Sequence, residues 1–396
     1  MRMRRARRQA TSGGESYPVE RIPGRGIPPH QNAMTSSTEP HLASTTPSAS
    51  RLLVPDTLRG LAALAVCWFH FTHGNPNFLP DGALKSSGAF GWLGVEMFFV
   101  ISGFIIPYSL SRGGYRLADY PTFLLKRIIR LDPPYIAALI IILALGYAST
   151  AVPGFRGQPL EPNWAQVVLH LGYINVFFGY PWLSPVFWTL AIEFQYYLLM
   201  GLLYFAVAHQ SPLVRAATWG WMAVLAFVVP SEQFIFHWLF LFMLGMAAFQ
   251  MRVGLIRRGQ FAWWVVILGC GAWSVGSGPI ALTGVVTALA LGIFETVPMR
   301  PLLFLGEISY SLYLLHVPIG GRIINLGQRF VQTTLEKGVV LAGALAASIL
   351  GAWLLYRFVE RPAQRWSSRI RYQRKALCAS GGGDATPGVA EPNPIA

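Results

Sequence analysis

About ten apolar stretches, each close to the length needed to cross a lipid bilayer, dominate this sequence. Roughly 20 apolar residues in a helix span the hydrocarbon core, where every backbone polar group must be satisfied within the protein. The stretches lie at 56–73, 91–110, 132–150, 185–207, 216–230, 234–250, 261–275, 278–294, 302–319 and 338–358. The sequence therefore predicts an all-α integral membrane protein.

The charged residues of the chain are few and unevenly placed. Only 12% of the 396 residues are charged, about half the share of a soluble domain, and the net charge is +14. Basic residues concentrate in the first eight residues, in alternate loops and from Arg357 to Lys375, as expected of cytoplasmic segments. We predict about ten transmembrane helices in the inner (plasma) membrane, with both termini cytoplasmic. No nucleic-acid-binding motif accompanies the charge, so we expect no nucleic-acid partner.

Three regions differ from the membrane-spanning pattern. Residues 1–50 and 371–396 are polar or rich in Gly and Pro, and we predict disordered cytoplasmic tails around a membrane domain at 51–370. Residues 164–180 are apolar and aromatic but fit the predicted orientation only if they do not cross. We interpret them as an external interfacial or re-entrant segment. The predicted external loop 320–337 is an exception to the charge rule, because it carries three cations.

Ionisable side chains inside a membrane span are costly, so each one is a candidate for function. In the first stretch, Arg59 and His70 are eleven positions apart. On a helix this spacing places them roughly 20° apart around the axis and about 16 Å apart along it. It predicts a basic residue at the cytoplasmic mouth and an acid/base group deeper on the same face. The alternative is that Arg59 reaches lipid headgroups while His70 hydrogen-bonds a neighbouring helix.

Two carboxylates and two arginines extend this set of candidates. Glu96 lies in the second stretch and Glu193 lies among aromatic residues, where a carboxylate needs a partner or a water-filled cavity. Arg127 and Arg130, at i and i+3, share a helical face at the cytoplasmic boundary. Paired guanidinium groups suit phosphate recognition, although the positive-inside rule alone also explains arginines at this place.

Three further polar residues are weaker candidates. Ser102 can hydrogen-bond across a helix interface or simply contribute to packing. Tyr310 and His316 belong to a run of aromatic and polar residues late in the chain. His316 could take part in chemistry or could equally cap the outer end of its helix.

The sequence contains none of the common cofactor or metal motifs. The cysteines Cys67, Cys270 and Cys378 form no CxxC pair and no ligand cluster, so we predict no metal site. A Gly-x-Ser-x-Gly elbow, a P-loop, a His-Glu-x-x-His helix and a dinucleotide fingerprint are all absent from the sequence. These absences argue against serine hydrolases, NTPases, zincins and Rossmann enzymes, and we expect no bound cofactor.

Taken in order, five segments resemble the membrane acyltransferase family 3, the bacterial O-acyltransferases of surface polysaccharides and antibiotics. The segments are Arg59 with His70, Gly91 to Gly103, Arg127 and Arg130 with Pro133 and Tyr135, Phe187 through Glu193 to Tyr197, and Phe304 to His316. The resemblance extends from about Leu58 to Pro362. It implies an acyl-CoA donor, usually acetyl-CoA, that enters from the cytoplasm. It also implies an acceptor hydroxyl on a surface glycan or on its lipid-linked precursor.

The resemblance further implies roles for individual residues. His70 corresponds to the essential catalytic histidine, while Arg59 and the pair Arg127 and Arg130 would bind the donor phosphates. We expect His70 to act as general base on the acceptor hydroxyl. Glu193 or Glu96 would orient its imidazole or stabilise the imidazolium. Transient acylation of a protein group is the rival mechanism.

Two other functions stay open at this point. The acceptor could be a small secreted metabolite such as a macrolide, which the resemblance does not separate from a glycan. Some family members add a C-terminal esterase-like domain, and its absence after Pro362 slightly favours that reading. A transporter or flippase is the alternative from another class, although no strong internal repeat supports it.

Overall fold

The computed structural model describes residues 53–151, 161, 163–295 and 299–372. The α-helices within these residues are α1 (Leu53–Phe71), α2 (Ala83–Ser86), α3 (Gly94–Arg112), α4 (Tyr120–Thr150), α5 (Trp164–His170), α6 (Trp188–Val207), α7 (Pro212–Val228), α8 (Ile235–Arg252), α9 (Arg258–Val275), α10 (Gly278–Ile293), α11 (Arg300–Glu307), α12 (Ser309–Leu315), α13 (Arg322–Gly327), α14 (Thr334–Leu355) and α15 (Arg361–Arg369). Two π-helical segments, His316–Gly321 and Tyr356–Glu360, directly follow α12 and α14. No strand occurs in the described ranges, so the predicted all-α class is confirmed for them.

Each of the ten predicted apolar stretches contains a helix. Five helical runs are long and apolar enough to cross a membrane, namely Ala83–Arg112, Leu117–Thr150, Trp188–Val207, Ile235–Arg252 and Thr334–Arg369. A sixth span is formed if α11 and the run Ser309–Gly327 are counted together, although the two helices meet at an angle of 65°. Helices α7 and α10 are apolar but shorter, with 17 and 16 residues. The number of ten spans and the cytoplasmic termini therefore stay predictions.

The aromatic segment 164–180 consists of the seven-residue helix α5 and a 3₁₀ turn, Asn175–Phe178. A helix of that length rises only about 10 Å, far less than the bilayer core. Trp164 and Phe178 are exposed on this segment. These lengths agree with the interpretation that the segment does not cross, while its side of the membrane stays a prediction. The predicted tails lie outside the described residues, except for 371 and 372.

Helix α8 lies at the centre of one group of helices. Its residues from Trp238 to Gln250 are all buried, as expected of a helix that is apolar on every side. Helices α3, α7, α9 and α10 pack around it. This group supports α3, which forms one wall of the site.

Helix α1 packs very closely against α11. A side chain at Gly60 would collide with the carbonyl of Leu302, and one at Gly306 would collide with the carbonyl of Asp56. Small residues at such a crossing allow two backbones to approach more closely than larger side chains permit. The packing of α1 continues onto α12 and the segment His316–Gly321. The helix that carries Arg59 and His70 is thus fixed against the helices that carry His316.

Candidate active site

A cavity with about 870 Å³ of empty space opens between α1, α3, α4, α6, α12 and the segment Tyr356–Glu360. This space includes the open mouth of the cavity. The lining residues are Arg59, Val95, Phe98, Phe99, Ile101, Ser102, Ile105, Ile106, Arg127, Arg130, Leu131, Thr189, Leu190, Glu193, Tyr197, Ser309, Tyr310, Tyr313 and Glu360. Six of the nine predicted site residues are among them, whereas His70, Glu96 and His316 are not.

Three arginines from two helices face this cavity. Arg59 comes from α1, while Arg127 and Arg130 come from one face of α4. The Arg127 guanidinium lies 5.2 Å from the ring centre of Phe123 and 5.6 Å from that of Tyr197. The Nε atoms of Arg59 and Arg127 are buried and have no hydrogen-bond partner among the described residues. Such a group of incompletely satisfied guanidiniums is suited to bind an anion, above all a phosphate.

Glu193 projects into the same cavity and is held by two hydroxyl groups. The Ser102 hydroxyl donates to its Oε1 over 2.9 Å, and the Tyr197 hydroxyl donates to the same oxygen over 2.5 Å. The structure thus brings together Ser102 and Glu193, which lie on α3 and α6. Among the described residues, no hydrogen bond joins Glu193 to His70. The predicted role of Glu193 as a partner of that imidazole therefore has no direct contact to support it.

Glu96 is buried, with 2% of its surface exposed, and its Oε2 has no hydrogen-bond partner in the described ranges. It lies in the first turn of α3, outside the cavity lining. No hydrogen bond between described residues joins it to His70. Its predicted orienting role stays a prediction.

His70 lies beyond one end of the cavity. On α3 the lining begins at Val95, whereas Gly91 packs against Phe69, the neighbour of His70. The His70 ring is half-buried, and its centre is 5.2 Å from that of His316. Arg59 and His70 therefore lie at different depths of one helix, as predicted, but only Arg59 faces the cavity.

His316 is 1% exposed and begins the π-helical segment His316–Gly321. Its Nδ1 lies 3.1 Å from the carbonyl oxygen of Leu312 and 2.8 Å from that of Tyr313. Its Nε2 is buried and has no hydrogen-bond partner among the described residues. His316 directly follows the last residue of α12, and its side chain contacts carbonyls of the last turn, which agrees with the capping alternative. Whether the imidazole also takes part in chemistry stays a prediction.

Tyr313 is a cavity residue that also contacts His316. It lines the cavity, and its ring centre is 5.9 Å from that of His316 and 5.8 Å from that of Phe98. Its hydroxyl lies 2.7 Å from the hydroxyl of Thr189, which donates its own proton to the Val186 carbonyl. Tyr313 must therefore be the donor to Thr189. Tyr310 also lines the cavity and donates to the Leu131 carbonyl over 3.0 Å.

Glu360 is a cavity residue to which the sequence analysis gave no role. It is 2% exposed, accepts a hydrogen bond of 2.6 Å from Ser311, and accepts another of 3.0 Å from Gln364. Its carboxylate also interacts electrostatically with Arg59 and Arg130. The sequence feature that could have identified Glu360 as a candidate is its charge, just after the end of the apolar stretch 338–358. In the described part of the chain, no three His, Cys, Asp or Glu side chains form a potential metal site.

The described residues thus form a cavity lined by three arginines, with a pair of imidazoles outside its lining. Residues 53–357 match the family described as "Acyltransferase domain", and the chain belongs to this acyltransferase family. No solved structure is significantly similar to the chain.

Three relatives illustrate the family. The chain is 25% identical over 360 residues to the O-acetyltransferase OatA of Staphylococcus aureus, a match that covers 78% of this chain and 57% of the relative. It is 27% identical over 353 residues to BcsY of Komagataeibacter xylinus, described as a membrane-bound transacylase, with coverages of 79% and 83%. It is 24% identical over 377 residues to the acyltransferase MdmB of Streptomyces mycarofaciens, with coverages of 82% and 95%. The chain therefore spans little more than half the length of OatA.

Proposed function

We propose that this protein is a membrane O-acyltransferase that moves an acyl group from cytoplasmic acyl-CoA, with acetyl-CoA as the usual donor, to a hydroxyl group. The observation that carries the proposal is the cavity lined by Arg59, Arg127 and Arg130. Three guanidiniums face two carboxylates there, so positive charge is in excess. A coenzyme A donor carries several phosphate oxygens that guanidiniums bind as charge-assisted hydrogen-bond acceptors.

Acyl transfer itself would take place at His70, near the C-terminal end of α1. About 16 Å of helix separates Arg59 from His70, so a donor held by its phosphates needs a long arm to present its thioester there. The pantetheine arm of coenzyme A is such an arm. His70 takes the proton of the acceptor hydroxyl while the hydroxyl oxygen attacks the thioester carbon, a contribution of roughly 10²–10⁴-fold in rate.

The acceptor that we favour is a hydroxyl of a cell-surface polysaccharide or of its lipid-linked precursor. OatA is an O-acetyltransferase by name, and this similarity supports an O-linked product. A small secreted metabolite is the second candidate, which the similarity to the acyltransferase MdmB does not distinguish from a glycan. In either case we place the protein in the inner membrane, with both termini in the cytoplasm.

The proposal is tested by transfer of a labelled acetyl group with purified protein. We expect label from acetyl-CoA to appear in ester linkage on the acceptor, and His70→Ala to abolish this transfer in a folded protein. His73→Ala is the matched control, because His73 is exposed just beyond α1. Full activity of the His70→Ala protein would refute the assignment. Absence of any transfer by wild-type protein, together with transport of an acylated substrate, would support the transporter alternative.

The acceptor class is tested in cells. Surface glycans and secreted metabolites from wild-type and deletion strains are compared for ester-linked acyl groups by mass spectrometry. Loss of esters from the glycan alone supports the polysaccharide acceptor. Loss from a metabolite alone supports the second candidate.

A further inference from the structure

The imidazole rings of His70 and His316 lie at a separation suited to a direct hydrogen bond. Their centres are 5.2 Å apart and their planes are inclined by 49°. A ring nitrogen lies roughly 1 Å from its ring centre and a hydrogen bond spans about 2.9 Å, so two hydrogen-bonded imidazoles have centres about 5 Å apart. Because the Nδ1 atom of His316 is held by two carbonyl groups, the ring that turns to form this bond is that of His70.

The surroundings of His316 determine which of its nitrogens carries the proton. The Nδ1 atom faces the carbonyl oxygens of Leu312 and Tyr313, which can only accept a hydrogen bond, so Nδ1 must carry hydrogen. In the neutral ring, Nε2 is then a bare acceptor. It is buried without a partner among the described residues, a state that costs free energy until a donor arrives.

The backbone holds this acceptor in place beside the end of α1. His316 begins a π-helical segment, a conformation found frequently at functional sites. Within that segment, a side chain at Gly320 would collide with the ring of Phe71, the residue after His70. The rings of Phe71 and His316 are themselves 6.3 Å apart. The segment and the end of α1 thus fix one another.

We propose that His316 is a positioning residue for His70. Its Nε2 accepts the N–H of His70, which fixes the tautomer of His70 and leaves the other His70 nitrogen free for the acceptor hydroxyl. This inference rests on the proposed acyl transfer. His316 thus has the orienting role that a carboxylate has in a catalytic triad. From the sequence, this role was predicted for Glu193 or Glu96.

The reaction then balances without a further reactant. The acceptor oxygen forms its bond to the thioester carbon while its proton passes to the free nitrogen of His70. The resulting imidazolium keeps its hydrogen bond to Nε2 of His316. As the carbon–sulfur bond breaks, His70 returns the proton to the sulfur, and free coenzyme A and the ester are the products.

Two substitutions separate this role from a purely structural one. His316→Asn keeps a donor near the Leu312 and Tyr313 carbonyls but removes the acceptor at the Nε2 position. His316→Gln places an amide oxygen near that position. We expect kcat for acetyl transfer to fall by about 10²-fold in the Asn variant, within the contribution of general-base catalysis. The Gln variant should recover part of the loss, while the KM for acetyl-CoA stays within about twofold of wild type in both.

The effect of the Asn substitution should vanish when His70 is absent. In a His70→Ala background, we expect the same rate, whether zero or residual, with and without His316→Asn, because the two residues act as a unit. Full kcat in the His316→Asn protein would overturn the inference. Equal loss in the Asn and Gln variants, with a raised KM for the donor, would also overturn it by indicating a structural role.

A measurement independent of turnover tests the contact itself. In protein with ¹⁵N-labelled histidine, we expect the His70 ring signals to report one tautomer in wild type and a mixture in His316→Asn. Unchanged His70 signals would refute the contact. If wild-type protein transfers no acetyl group at all, the proposed function fails. If wild type is active and only the His316 results differ from expectation, this inference alone fails.

Discussion

Replacing Arg130 by Gln should separate donor binding from folding. Arg130 lies in the cavity, interacts electrostatically with the like charges of Arg127 and Arg59, and is attracted by Glu360. Among the described residues, no hydrogen bond or ion pair closer than 4 Å holds its guanidinium. Its removal breaks no such bond, and the lost attraction to Glu360 is offset by relief of the repulsion from Arg127 and Arg59, so we expect the thermal stability of the unliganded protein to change little.

The cost of this substitution should appear when the donor binds. A hydrogen bond to a charged group contributes about 1.5–3 kcal/mol, which corresponds to a roughly 10- to 150-fold weaker Kd. We expect a rise of that size in the KM for acetyl-CoA and in the Kd measured by calorimetry. The KM for acetyl-CoA of Arg130→Lys should lie between those of wild type and Arg130→Gln, because an ammonium keeps the charge but cannot make a bidentate contact with a phosphate.

The control for this experiment is Arg112→Gln. Arg112 ends α3, is exposed, and does not line the cavity. We expect the KM of the control to equal that of wild type. An unchanged KM for acetyl-CoA in Arg130→Gln would refute the reasoning, and so would an equal rise in Arg112→Gln.

Three further predictions concern groups around the cavity. Glu193→Ala should destabilise the protein by about 1–3 kcal/mol in thermal unfolding, because the hydroxyls of Ser102 and Tyr197 lose their acceptor, whereas Glu193→Gln should keep an oxygen for both. Gly306→Val should lower the melting temperature in detergent, because the new side chain collides with the Asp56 carbonyl at a cost of about 1–3 kcal/mol. Gly343→Val is the control, because a side chain at Gly343 meets no other atom, and its melting temperature should stay near that of wild type. Tyr313→Phe should destabilise the protein by about 0.5–1.5 kcal/mol, because the hydroxyl contact with Thr189 is lost, and an unchanged melting temperature would contradict that contact.

The all-helical class was predictable because long apolar stretches leave a strong local signal, whereas the number of spans and their orientation stay predictions. That three arginines share one cavity was predictable in part, since Arg127 and Arg130 are one turn apart on α4, whereas Arg59 comes from α1. The sequence could not show that Ser102 and Glu193 share a hydrogen bond, because they lie 91 positions apart on different helices. The order of candidates along α1 likewise did not reveal that the cavity lining ends before His70.

The least predictable features depend on helix irregularity. The π-helical segments at His316 and Glu360 shift side chains relative to a regular helix, and periodicity arguments assume regular helices. His316 was therefore as compatible with a helix cap as with chemistry. Glu360 received no role, because a charge at the end of a span is common there. Only contacts between distant segments, such as those of His316 with His70 and of Glu360 with Ser311, show the surroundings of these two residues.

The contact between Tyr313 and Thr189 has a consequence for how two sides of the cavity are coupled. Tyr313 belongs to α12, which continues directly into the segment that begins at His316, and its hydroxyl lies 2.7 Å from that of Thr189 on α6. A displacement of α6 at the cavity therefore acts, through a single hydrogen bond, on the helix that carries the backbone of His316.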